Sequence, residues 1–174
     1  MTTKRVTPRA TRSDPRRYIA ALEQVGGRAV ALPSRAEAVE EVRRLCGTRP
    51  VVVDKHPDLD GVADGLHVVE DPWGAEVGVT GAVAAAEETG TLALAFDADR
   101  PRSTSLVPPV HVALVPQARL VPTYADAVEA LAALRPVPSA MNLVTGPSSS
   151  GDIELTTVRA VHGPGEIHVV LYDE

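Results

Sequence analysis

The chain has 174 residues, long enough for one domain with a sizeable core; it is 44% hydrophobic and 23% charged, as in an ordinary soluble globular protein. Its single cysteine, Cys46, excludes an internal disulfide and any metal or iron–sulfur centre built from several thiolates of this chain. The net charge of −6 divides into +5 over residues 1–17 and −11 over the remainder, and an acidic body argues against a dedicated nucleic-acid module.

No run of about 18 apolar residues and no signal-type leader occurs in the sequence, which predicts no membrane span and a cytoplasmic location. One Trp, three Tyr and one Phe leave the core to be built from aliphatic side chains and alanine. Residues 1–13 read as a disordered basic tail that cannot build a core, and residues 14–174 as a single domain. Asp14-Pro15 is an N-cap followed by proline at the first helical position, and Tyr18, Ile19 and Leu22 recur at helical spacing up to Gly26-Gly27, predicting a helix over 15–25. Residues 28–32 form a short apolar strand. Ser34 and Glu37 then make a capping box for a helix carrying Ala38, Val39, Val42 and Leu45, with Cys46 as a small buried residue and Gly47 as its stop. The all-apolar run 51–53 needs cover on both faces, as a strand of a parallel sheet does. A polar loop over 55–65 leads to strand character at 66–69.

The segment 78–94, GVTGAVAAAEETGTLAL, reads as a glycine turn at 78–81, a short alanine-rich helix over 82–86, a second turn at Glu88-Thr89-Gly90 and a strand over 91–96. Gly90 is expected in a backbone conformation closed to residues with a Cβ. Glycines and helix N-termini expose N–H donors that suit an anion, and plain turn architecture explains the same residues. Beyond it, Pro101, Pro108 and Pro109 forbid regular structure before a buried strand over 110–115 that carries His111 near its start. Thr123 caps a helix with Ala127, Val128, Leu131 and Leu134 on one face, closed by Arg135-Pro136. A strand over 141–144, the loop GPSSSGDIE at 146–154 and a closing strand over 167–171 complete the chain. Strands alternating with amphipathic helices predict an α/β domain with a mostly parallel sheet flanked by helices, with ligands placed at the polar turns beyond its strands.

Four strings in order, GVTGAVAAAEETGTL, STSLVPPVHVALVP, GPSSSGDIE and VHGPGEIHVVL, resemble the successive motifs of the LUD-domain family of the lactate-utilisation protein C type, over about 78–171. The resemblance implies the fold shared by ribose-phosphate isomerases and CoA transferases. It implies a role in bacterial oxidation of L-lactate to pyruvate, as an accessory or ligand-binding subunit beside partner proteins that hold iron–sulfur clusters, with no cofactor in this chain. A self-sufficient transferase or isomerase acting on an acyl-CoA or sugar phosphate is the alternative the fold permits. The retained positions include Thr80, Gly81, Glu88, Thr89, Gly90, Ser105, His111, Gly146, Ser148, Asp152, Glu154, His162 and Gly163. The sequence departs from the family pattern at Val83, where an Asp is usual, at Ala84, where an aromatic follows, and at Ser149, where a basic residue is common.

From these positions Glu88 and His162 are the catalytic candidates, and Thr80, Gly81, Thr89, Gly90, Ser148 and Asp152 the ligand-binding candidates. Glu88 stands before a buried strand, where partial burial would raise its pKa and suit it to proton transfer; a carboxylate that fixes the turn by accepting N–H bonds fits equally. His111 reads as a hydrogen-bonded edge of the core rather than a base. Glu88, Thr89, Ser148, Asp152 and His162 are expected to converge on one concave site for a small anionic or hydroxy-acid ligand. No histidine and acid spacing forms a metal site.

Overall fold

A computed structural model describes residues 13–151, 157–159 and 163–173. In chain order the elements are helix α1 (Pro15–Gln24), strand β1 (Arg28–Leu32), α2 (Arg35–Cys46), β2 (Val51–Val53), β3 (Val77–Thr80), β4 (Ala84–Ala86), β5 (Thr91–Phe96), α3 (Ser103–Leu106), β6 (Val110–Pro116), β7 (Leu120–Val121), α4 (Tyr124–Ala132), β8 (Ala140–Thr145), β9 (Ser149–Gly151), β10 (Thr157–Arg159) and β11 (Glu166–Tyr172). Helix starts follow local chemistry. The Asp14 carboxylate accepts from the Arg16 N–H, Ser34 accepts from the Glu37 N–H, and Thr123 with Asp126 forms a reciprocal capping box.

Five strands form an all-parallel sheet in the order β1-β11-β6-β3-β2, and four more form a second sheet in the order β7-β4-β5-β8. Alternation along the strands of the parallel sheet sends Val77, Val79, Val112 and Leu114 under α2, against Ala38, Val39, Val42 and Cys46. Ala113, Val115, Ile167 and Val169 face the other way, onto Leu92, Leu94 and Phe96 of the second sheet and Tyr18 and Leu22 of α1. α4 closes the far side of the second sheet, its Ala127 and Leu131 lying on Ala84, Ala86, Ala93 and Ala95. The mostly parallel α/β architecture expected from the sequence is thus present, joined to a second sheet in which β4–β5 and β5–β8 run antiparallel.

Several local expectations are corrected. Residues Val77–Thr80 are the buried strand β3 rather than part of a glycine turn at 78–81, and Ser103–Leu106 forms the short helix α3 where the prolines were expected to forbid regular structure. Residues 84–86 are a strand rather than part of an alanine helix, because both faces are covered: Ala85 enters the core between the sheets while Ala84 and Ala86 lie under α4. A helix would bury only one stripe, so packing overrides alanine's propensity. Residues 66–69 make a single bridge from Val68 to Val51 instead of a strand, leaving Val68 half exposed. The third helix-length segment ends at Ala132, so Leu134 packs beside it from outside the helix.

Candidate functional site

The motif residues divide between two neighbouring places. The first is the carboxyl edge of β2 and β3, where open parallel sheets place ligands. Asp54 follows β2 directly and its carboxylate accepts from the backbone N–H groups of His56, at 2.9 Å, and Gly81. Burial pushes its pKa up to about 6, with those N–H bonds and the Arg100 guanidinium acting in the opposite direction. Gly81 lies against the His56 ring so closely that any Cβ there would collide with the imidazole, which gives this motif glycine a packing reason. Asp54, His56, Thr80 and Gly81, with Leu94, Phe96 and Arg100, enclose a cavity of about 10 Å³, room for one water.

Arg119, just beyond β6, ties this edge together. Its guanidinium donates to the Ala82 carbonyl, to Asp58 Oδ1 at 3.1 Å and to His56 Nε2 at 3.2 Å. The Asp58 N–H lies 3.2 Å from His56 Nδ1, so both ring nitrogens face donors. A neutral imidazole offers one lone-pair nitrogen and an imidazolium none, so this surrounding opposes protonation. Burial, helped by Arg119 and Arg100 and opposed by Asp58, lowers the His56 pKa to about 4. Asp54 is thus the acid of this edge whose pKa is raised, to about 6.

The second place is an open groove of about 560 Å³ between the parallel sheet and the end of β8. It gathers residues of three motifs: Ser105 from α3, Ser148 after β8, and Gly163 with Pro164 before β11. The Ser148 N–H donates to the Pro164 carbonyl at 2.8 Å, fastening the third motif to the fourth. Thr89 is joined to the same groove by a chain of hydroxyls, Thr89 to Thr91 at 2.6 Å and Thr91 to Thr145 at 2.6 Å, and Thr145 lines the groove. Between the two places, Thr80 Oγ1 and His111 Nε2 are paired at 2.8 Å inside the core. Thr80 lines the cavity, and His111 is in register with Ile167, which lines the groove. Burial alone lowers the His111 pKa to about 4, and its Nδ1 has no hydrogen-bond partner among the described residues.

Thr89 and Ser148 are thus brought to one side, while Thr80 and Gly81 belong to the carboxyl edge. Gly90 has φ +67° and packs on the Leu22 backbone, a structural position. The expected burial of Glu88 is corrected: Glu88 is exposed, and its Oε2 accepts from the Tyr124 N–H, the first helical donor of α4. The buried acid is its neighbour Glu87, whose Oε1 accepts from the Asp14 N–H at 2.8 Å while Arg17 stands 3.6 Å from Oε2. Adjacent residues of an extended turn point opposite ways, so one acid seats α1 and the other caps α4. Asp152, Glu154 and His162 lie outside the described residues. Sequence reasoning passed over Asp54, His56, Asp58, Arg100 and Arg119. A signal was present for Asp54, the first polar residue after a wholly apolar strand, the position at which such sheets display chemistry.

Comparison with known proteins agrees with this architecture. Residues 70–172 match the LUD domain. Lactate utilization protein C of Macrococcus caseolyticus is 36% identical over 116 residues, covering 64% of this chain and 49% of that protein. The Bacillus subtilis protein of the same name is 38% identical over 163 residues, covering 78% of this chain and 67% of that protein. The chain spans about half the length of several of these curated relatives, 49% and 43% in two of them. The crystal structure of a DUF162 family protein from Deinococcus radiodurans superposes with a TM-score of 0.70 at 23% identity, over 91% of this chain and 95% of that one, a likeness of fold. With the domain match running through more than half its length and a relative aligned over two thirds of its own, this chain belongs to the LUD domain family.

Proposed function

We propose that this chain is a cytoplasmic component of a bacterial L-lactate-utilisation system, an accessory or ligand-binding subunit that acts with iron–sulfur partner proteins. The observation that carries the reading is the LUD domain match together with relatives named lactate utilization protein C. Oxidising lactate to pyruvate needs an acceptor for two electrons, and amino-acid side chains do not store them. A chain with one cysteine cannot ligate a cluster held by several thiolates, so the clusters belong to partners. The groove supplies what a small hydroxy acid requires, hydroxyls from Ser105, Thr145 and Ser148 beside apolar walls from Val144 and Ile167. No helix among the described residues is long and apolar enough to cross a membrane.

Affinity purification of the tagged chain from lactate-grown cells tests this reading. Iron–sulfur proteins in the eluate are the expected result, and their absence would overturn the partner-dependent role. Calorimetry with L-lactate and pyruvate tests the groove. Thr145→Val is expected to weaken binding about 5- to 10-fold, the share of one hydrogen bond.

The second reading, a self-sufficient transferase or isomerase on an acyl-CoA or sugar phosphate, draws on a separate observation: Asp54 is a partly buried carboxylate, its pKa raised by burial to about 6, at the carboxyl edge of a parallel sheet. Turnover of such substrates by the isolated chain, lost in Asp54→Asn or Glu88→Gln, would favour it over the first.

A further inference from the structure

β1 is an outer strand of the five-stranded sheet, paired on one side with β11 and, among the described residues, with no strand on the other. The Asp173 N–H donates to the Leu32 carbonyl at 3.2 Å, so Leu32 turns its backbone groups towards β11, and by alternation Val30 and Arg28 do the same. The N–H and C=O groups of Ala29 and Ala31 therefore point away from β11, and among the described residues no strand pairs with them on that side. Natural edge strands are blunted by proline, by inward-pointing charge or by a covering loop. β1, with sequence RAVAL, carries no proline and no charged residue between Ala29 and Leu32. An open groove follows the edge beneath α2. Glu37 and Glu40 line it beside Leu32, at the carboxyl end of the strand. Arg28 stands at the other end. The charges between them are already paired within α2, Glu41 with Arg44 and Glu40 with Arg43, each at 2.6 Å.

We infer that this edge is the interface of a homodimer, in which β1 pairs antiparallel with β1 of a second copy about a two-fold axis at Val30 and the two sheets become one of ten strands. The register follows from the free groups. Ala29 of each copy exchanges both backbone hydrogen bonds with Ala31 of the other, so the axis pairs the two Val30 residues at a non-hydrogen-bonded position. A two-fold interface must be self-complementary, and this one is. Reversing the strand direction brings Glu37, at the carboxyl end of one β1, towards Arg28, at the amino end of the other, and neither has an ion-pair partner among the described residues. Any other strand added to the edge would satisfy the backbone, whereas a copy of this chain also brings Glu37 and Arg28 together at both ends.

The test is light scattering of the intact purified chain, with two variants. The wild-type chain is expected to show twice its 18.3 kDa mass at about 100 µM. Ala31→Pro removes only an outward-facing N–H, which leaves the bonds to β11 intact. It is expected to weaken dimerisation by roughly 30-fold or more, since the two-fold loses a bond twice, while the far-UV circular dichroism stays unchanged. Val30→Cys is expected to form an intermolecular disulfide on mild oxidation, because paired Cα atoms about 4.5 Å apart fall within disulfide reach. The natural Cys46 is fully buried and serves as the silent control. A monomeric wild-type chain at this concentration, or a dimer that withstands Ala31→Pro and gives no Val30→Cys cross-link, would overturn the inference.

Discussion

Replacing Gly90 with alanine tests how closely α1 is seated on the second sheet. Gly90 has φ +67°, and a Cβ built on it lies 2.5 Å from both the Cα and the N of Leu22 and 2.9 Å from its Cβ. Two separate costs follow. The left-handed backbone costs about 1–2 kcal/mol for a residue with a side chain. The collision costs about 1–3 kcal/mol more, because the atoms met are backbone in the last turn of α1 and have no rotamer to retreat into. Leu22 is only 1% exposed, so α1 cannot shift away without opening the core between the sheets. The total is about 2–5 kcal/mol, which for a chain of this length lowers the thermal midpoint by roughly 4–20 °C. Gly65→Ala is the control, since Gly65 has φ +79° and a Cβ there would meet nothing within 4 Å, so it carries the backbone cost alone. Urea melts followed by circular dichroism, compared at constant m, measure both variants. Equal losses at the two positions would refute the claim that close approach of α1 constrains Gly90.

Acid stability should depend on Asp54 in a direction set by its surroundings. With a folded pKa of about 6 against an ordinary 3.8, Asp54 holds a proton more readily in the native state, so its contribution to stability falls as pH rises from about 4 to about 6. His56 and His111, lowered to about 4 from 6.5, behave oppositely, and their contribution is lost as pH falls through that range. Asp54→Asn removes the opposing group, so the variant should lose stability on acidification faster than the parent, by up to about 1.4 kcal/mol per pH unit; parallel curves would show that Asp54 is not buried enough to titrate abnormally. In the Thr80 and His111 pair, Thr80→Val should cost about 1–3 kcal/mol by leaving a buried imidazole nitrogen unsatisfied. The double variant Thr80→Val with His111→Leu should cost less than the two single changes together, and strict additivity would mean the pair is not coupled.

Much of this protein is determined by short-range chemistry and is therefore readable from the sequence. The caps at Asp14, Ser34 and Thr123 rest on bonds that span two or three residues, and all of them form. The runs at 51–53 and 110–115, apolar but for His111, have no polar face to give to water, so a sheet covered on both faces is their stable setting. The positive φ of Gly90 follows from the turn it must make. The order of the four motifs likewise carried the family, since it needs no knowledge of how they meet.

Tertiary structure alone decided the rest. Whether 84–86 would be helix or strand depended on a partner for each face, β5 alongside and α4 above, which lie up to 46 residues further on. Which of two adjacent glutamates would be buried depended on where α1 and α4 start, since Asp14 claims Glu87 and Tyr124 claims Glu88. The carboxyl-edge cluster joins Asp54 and His56 to Gly81, Arg100 and Arg119, residues that share no periodicity and meet only because β2, β3 and β6 lie side by side in a parallel sheet. Local bonds leave a trace in neighbouring letters, whereas burial and charge are set by whatever long-range packing brings near, and no window of sequence contains both sides of that contact.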